Sequence, residues 1–198
     1  MNITEKLNIL ETYAKEKKVP IVRPKTAAKL REVVASSNPK NVLEIGTAIG
    51  YSAMLMASAM QCDGKITTIE KDEERYNLAL ENIKDIDYNI DCVLGDAFVI
   101  LQQFKEEGRK FDFVFLDGPK GFYFRYLNII EDLLEDGGCI FADNISFFGM
   151  VPSGIYPHRH KTIVVSLQNY LKKVSLPPYK TTIEYDIEDG YAITYKEK

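Results

Sequence analysis

The sequence has no run approaching 18 uninterrupted apolar residues, so no segment is expected to span a membrane. It has no excess of positive charge. The 25 Lys and Arg stand against 29 Asp and Glu, for a net charge of -4, which excludes a generally basic nucleic-acid coat and leaves any such partner to a local patch. Cysteines are few: Cys62, Cys92 and Cys139 cannot all pair, and none lies in a C-x-x-C spacing, as suits a reducing cytosol. The opening MNITEKLNILETYAKEKK lacks the apolar block and cleavage site of a signal peptide, so a cytoplasmic protein is expected. Repeats, low-complexity tracts and Pro/Gly/Ser-rich linkers are absent too. With 45% apolar and 27% charged residues over 198 positions, the composition fits one domain around a single core. Helices are expected over 1–38 and the core over 39–198.

What is present alternates in type. Ile3, Leu7, Leu10 and Ala14 mark a first helix, broken by Pro20. Pro24 suits the first turn of a second helix carrying Ala27, Leu30 and Val34, which ends at Ser36-Ser37-Asn38-Pro39. Strands are expected at 41–45, 65–69, 90–94, 111–116 and 138–142, with helices at 51–60, 72–86, from 97 to about 107, and 122–134. Five strand–helix units imply a parallel sheet covered on both faces. The end breaks this rhythm. After a helix at 162–174, strands at 179–185 and 191–195 flank Asp189-Gly190, a hairpin signal.

In VLEIGTAIGYS, Gly46 and Gly50 follow the first strand, at the sheet edge where open α/β folds bind ligands. Glycine there lets backbone approach a ligand closely. The G-x-x-x-G spacing differs from the G-x-G-x-x-G that cradles a pyrophosphate. Glu44, just short of the strand end, would repel phosphate and attract an amine or sulfonium. Glu70, at the end of the second strand, stands where a carboxylate reads a ribose diol. Asp96, after the third, suits an adenine amine or a helix cap. The fourth and fifth strands end in FLDGPKG and FADN, so Asp117, Asp143 and Asn144 are expected at one mouth. Two carboxylates and an amide oxygen are hard ligands suited to Mg²⁺. Beside a divalent ion the Lys120 ammonium would be disfavoured, which suits a base. Each fragment alone also reads as an ordinary turn or cap.

Together, EIGTAIGYS, the acidic end of TTIEKD, GDA, LDGPKG and ADN resemble the catechol and caffeoyl-CoA type of class I S-adenosylmethionine-dependent O-methyltransferase. Within it the chain is similar to the bacterial tRNA 5-hydroxyuridine methyltransferases (the TrmR group), from about Val19 to the final DGYAIT. The resemblance implies an α/β, Rossmann-like seven-stranded sheet ending in an antiparallel hairpin. It implies that Glu44, Gly46, Thr47 and Ser52 hold the methionine part of S-adenosylmethionine, Glu70 its ribose, and Asp96 and Ala97 its adenine. Ile21 and Val22 match a segment covering the cofactor, which Asp117 also borders. Asp117, Asp143 and Asn144 would bind Mg²⁺ or Mn²⁺, with Lys120 as general base. Relatives also suggest a homodimer. Gly118-Pro119 replaces the His-Trp of the catechol enzymes, which alters the packing offered to a small ring.

Methyl transfer from sulfonium to oxygen needs a deprotonated nucleophile held in line. A cation chelating two neighbouring oxygens lowers the hydroxyl pKa and fixes its direction. Catechol offers such a pair, and so does 5-hydroxyuracil. SFFGMVPSGIYPHRHKT, after the fifth strand, combines aromatic residues with His158, Arg159, His160 and Lys161. Stacking rings beside cations suit a single-stranded anticodon loop of tRNA, and Arg23, Lys25 and Arg125 extend the patch. A small phenolic acceptor is the alternative. His-x-His without a third ligand at a compatible spacing does not make a zinc site.

Overall fold

The computed structural model describes residues 2–61 and 63–197; Cys62, counted above, lies outside them. The chain divides into two compact units, Met1–Ala97 and Phe98–Lys198.

In the first unit, α1 (Ile3–Lys17) is closed by a capping box, in which Asn2 accepts from the Glu5 amide and the Glu5 carboxylate accepts from the Asn2 amide. Helix α2 (Pro24–Ser37) starts with proline in its first turn and ends at a left-handed Asn38. Strand β1 (Asn41–Ile45) leads into α3 (Tyr51–Ala57), buried along its whole length. Then come β2 (Lys65–Glu70), α4 (Glu73–Ile83) capped by Asp72, β3 (Ile90–Leu94), and the start of α5 (Ala97–Glu106). The strands run parallel in the order β3-β2-β1. Helix α1 packs on α3, where the Tyr51 hydroxyl donates to Glu11 at 2.6 Å. Burial, then Glu11, raises the Tyr51 pKa.

In the second unit, β4 (Phe111–Leu116) is nearly all buried, as the even apolar run predicts for a central parallel strand. A 3₁₀ turn at Lys120–Phe122 leads into α6 (Tyr123–Leu133). Strand β5 (Leu134–Asp143) begins four residues earlier than the sequence suggests. Its polar, glycine-containing start resembles a turn, yet Leu134 is buried and pairs with Phe111 before the register shifts. A short α7 (Met150–Ser153) and a 3₁₀ turn at His158–His160 interrupt the following loop. Helix α8 (Lys161–Val174) and the hairpin β6 (Tyr179–Glu184) and β7 (Tyr191–Lys196) complete the unit. Strand β7 lies between β5 and β6, antiparallel to both. The seven-stranded sheet has the order β3-β2-β1-β4-β5-β7-β6. No helix among the described residues is long and apolar enough to cross a membrane.

Candidate active site

The glycine turn of the first unit is built around two carboxylates. Glu44 is fully buried on β1, opposite Thr68 in the parallel register. The Thr68 hydroxyl donates to Glu44 Oε2 at 2.5 Å, and the Thr47 hydroxyl lies 2.6 Å from that of Thr68. Because the Thr68 proton is committed to the carboxylate, Thr47 must donate to Thr68. A directed chain, Thr47 to Thr68 to Glu44, therefore holds the carboxylate in one orientation. Burial, followed by the charge of Glu44, pushes the Cys92 thiol up to about 12, which disfavours its thiolate.

Glu70 is spent differently. Its Oε2 accepts from the Ala48 amide at 2.8 Å, and its Oε1 accepts from the Lys71 and Asp72 amides, each at 2.9 Å. It thus pins a turn in which Ala48 is left-handed (φ 47°). Of its roughly four lone-pair sites these amides occupy three, and Oε2 can still accept a further bond. Asp96 pairs with Lys71 at 3.2 Å.

Gly46 (φ 107°) donates its amide to the Ile69 carbonyl. Gly50 has a structural cause the sequence did not reveal. At φ 83° it forms the N-cap of α3, and a Cβ there would meet Ile83 Cδ1 at 3.1 Å. Its small size therefore serves helix packing. Ser52 is buried in the first turn of α3, Val22 is buried, Ile21 is half-buried, and Ala97 begins α5.

In the second unit the register pairs Leu116 with Ala142, so Asp117 and Asp143 follow at neighbouring strand ends, about 5 Å apart across a ladder. Lys120 Nζ donates to Asp117 Oδ1 at 2.7 Å. Asp143 is 3% exposed. Its Oδ1 accepts from the Asn144 amide at 2.6 Å, and Asn144 is left-handed (φ 55°). Burial first, and then the charge of Asp117, push the Asp143 carboxyl up to about 7; Lys120 and the Asn144 amide oppose this, and Asp189 adds to it. A buried carboxylate that ionises reluctantly beside another is a place for a cation. Among the described residues no three His, Cys, Asp or Glu side chains gather as a metal cluster. A cation here would need the Asn144 amide as its third protein donor, with water and acceptor oxygens filling the shell.

Two residues outside the expected set shape this mouth. The buried Tyr123 hydroxyl sits 2.7 Å from the Leu116 carbonyl and 3.0 Å from that of Asp143, sharing its proton between the ends of β4 and β5. Asp189, 7% exposed in the hairpin turn, accepts from the Phe148 amide at 2.6 Å, and its carbonyl accepts from Ser146 at 2.9 Å. Phe147 and Phe148 are both left-handed (φ 46° and 56°), and Phe148 is 71% exposed. Asp189 thus holds a strained segment, Phe147-Phe148, that begins three residues past Asn144.

Arg23, the N-cap of α2, and Lys25 are exposed in the first unit. His158 and Arg159 are exposed in the second unit, while His160 packs edge-on against Phe147 at 5.5 Å. Arg125 and Lys161 line a cavity between α6 and α8.

The sequence profile of the O-methyltransferase family matches residues 3–197. A tapetum-specific methyltransferase of Arabidopsis thaliana is 32% identical over 169 residues, covering 83% of this chain and 72% of its own. A caffeoyl-CoA O-methyltransferase of Medicago sativa is 31% identical over 172 residues, covering 81% and 68%. Among solved structures, an O-methyltransferase from Bacillus cereus in complex with SAH superposes with a TM-score of 0.87 at 23% identity, over 98% of this chain and 91% of that one.

Proposed function

The chain belongs to the O-methyltransferase family, and from that premise we propose that it methylates the 5-hydroxyl of 5-hydroxyuridine at the tRNA wobble position, using S-adenosylmethionine and Mg²⁺ or Mn²⁺. The observation that carries the metal-assisted chemistry is the Asp117–Lys120 pair at 2.7 Å beside the buried Asp143. S-adenosylmethionine, when bound, supplies a methyl group on a sulfonium, and a divalent ion lowers the pKa of a chelated hydroxyl.

The protein's own groups do the rest. Glu44, fixed by Thr47 and Thr68, offers its charge to the ammonium of the methionine part, with Gly46 and Ser52 beside it. Glu70 takes the ribose hydroxyls at Oε2, which keeps an open lone pair, and Asp96 and Ala97 border the adenine. Ile21 and Val22 cover the cofactor. Asp117, Asp143 and Asn144 hold the cation. Lys120 serves as general base for the proton of the acceptor hydroxyl, and Asp117 steadies the ammonium that results. Exposed Phe148 and the cations from His158 to Lys161 suit an unstacked base and its phosphates. A homodimer in the cytoplasm belongs to the same reading.

The caffeoyl-CoA O-methyltransferases among the relatives favour a second reading, a smaller phenolic acceptor on the same machinery. Incubating hypomodified tRNA, and separately a panel of catechols, with the enzyme, labelled cofactor and Mg²⁺ separates the two. Nucleoside mass spectrometry should find labelled 5-methoxyuridine; label only in a catechol overturns the tRNA reading. Asp117→Ala should abolish cation-dependent turnover and keep cofactor binding, and unchanged turnover would reject the metal role.

A further inference from the structure

A cavity of about 370 Å³ opens between α6 and α8, a volume within the range of small-ligand pockets. Its walls are mixed. Phe124 and Val165 give apolar surface, while Thr162, Ser166 and Asn169 bring hydroxyls and an amide. Both charged residues lining it, Arg125 and Lys161, are cations, and no carboxylate lines it. Among the described residues neither cation forms an ion pair with a carboxylate. In a chain of net charge -4, such a cavity is a local reversal of sign.

Two further observations sharpen this. Arg125 is held by ring faces, its guanidinium 4.7 Å from the Phe98 centroid and 5.5 Å from that of Phe122, so its position is fixed without neutralising its charge. Lys161 opens α8 behind His158, Arg159 and His160, with no acidic residue in the first turn and no side-chain cap. Cations at a helix amino end oppose its dipole, and an anion placed there relieves the conflict.

The cavity also adjoins the proposed acceptor site within one unit. Gly121, on its wall, directly follows Lys120 in the 3₁₀ turn that packs against α8. An acceptor whose hydroxyl reaches Lys120 can therefore continue along this turn.

We propose that the cavity binds a phosphate ester carried by the acceptor itself, its phosphate between Arg125 and Lys161 and its adjoining apolar part against Phe124 and Val165. This rests on the methyl-acceptor reading above and deepens it: the acceptor is a phosphate-bearing molecule, not a free phenol. The phosphate can belong to a polynucleotide or to a coenzyme A thioester, and the test separates these sources.

Steady-state kinetics would compare the wild type with Arg125→Gln/Lys161→Gln on three acceptors, namely an anticodon stem-loop RNA containing 5-hydroxyuridine, caffeoyl-CoA, and free catechol. Melting temperature and KM for S-adenosylmethionine serve as fold controls. KM for the phosphate-bearing acceptor should rise about tenfold or more, as befits lost charge-assisted contacts, with kcat within about twofold and catechol kinetics unchanged. Raising the salt should weaken wild-type binding of RNA more than that of the variant. If RNA is methylated and its KM does not move in the variant, the cavity assignment fails and the tRNA reading stands. If only caffeoyl-CoA is a substrate and its KM rises, the cavity assignment stands and the tRNA reading fails. Turnover of free catechol alone, or equal damage to all three acceptors, overturns the cavity assignment.

Discussion

Asp143 gives the proposed cation site a signature readable without any turnover. Its carboxyl, ordinarily near 3.8, is pushed up to about 7 in the fold, first by burial and then by Asp117. Between those two values the folded chain holds a proton that the unfolded chain has lost. Stability of the cation-free protein is therefore greatest below about pH 4 as far as this group is concerned, and falls as pH rises towards 7. Roughly three pH units at about 1.4 kcal/mol each give on the order of 4 kcal/mol. For a chain of this size that is about 8–16 °C in melting temperature, at about 2–4 °C per kcal/mol. A divalent ion binding the ionised pair opposes the trend, restoring about 2.7 kcal/mol when present at a hundred times its dissociation constant. The assay is thermal melting from pH 4 to pH 8, in EDTA or in Mn²⁺, for the wild type and Asp143→Asn. The variant cannot ionise at this position, so its EDTA profile should be flatter and its Mn²⁺ effect small. Wild-type and variant profiles of equal slope, or an Mn²⁺ effect as large at pH 5 as at pH 8, would refute the reasoning.

Two substitutions test the supporting structure. Asp189→Ala leaves the Phe148 amide without its 2.6 Å acceptor and should cost about 1–3 kcal/mol, whereas Asp189→Asn, which still offers an oxygen, should lose less; equal melting temperatures for both would remove the bracing role. Gly50→Ala puts a side chain at φ 83° and 3.1 Å from Ile83, so about 1–2 kcal/mol should be lost from backbone strain alone, measured by urea denaturation. An unchanged midpoint would show that the turn has more room than its geometry implies.

Much of the fold was legible because its strands are short apolar runs between glycines and polar turns. The bounds expected for β1, β3 and β4 are those observed. Strand β5 was not, since Glu135, Asp136 and Gly137 at its exposed start carry turn chemistry, while the pairing of Leu134 with Phe111 depends on tertiary context. The same division holds at the site. Acidic residues at strand ends stand out by type and position, and Glu44, Asp117 and Asp143 were visible for that reason. Tyr123 and Asp189 were not, because each bonds to main-chain groups of a segment remote in sequence, and no pattern of side chains records a carbonyl or an amide. Thr68 passed as an ordinary β-forming residue until its hydroxyl was seen on Glu44. Gly50 was visible as a turn glycine, but its contact with Ile83 from a later helix was not.

The seating of β7 between β5 and β6 has a consequence for biosynthesis. A nascent chain already contains Asp117, Lys120, Asp143 and Asn144 while Asp189 and Gly190, which bond the backbone at Ile145 and Ser146, are still untranslated. Until those residues emerge, the flank of β5 that will receive β7 stays open, and the Phe148 amide lacks its carboxylate acceptor. The ingredients for chemistry are thus made early, and their final arrangement waits for the hairpin.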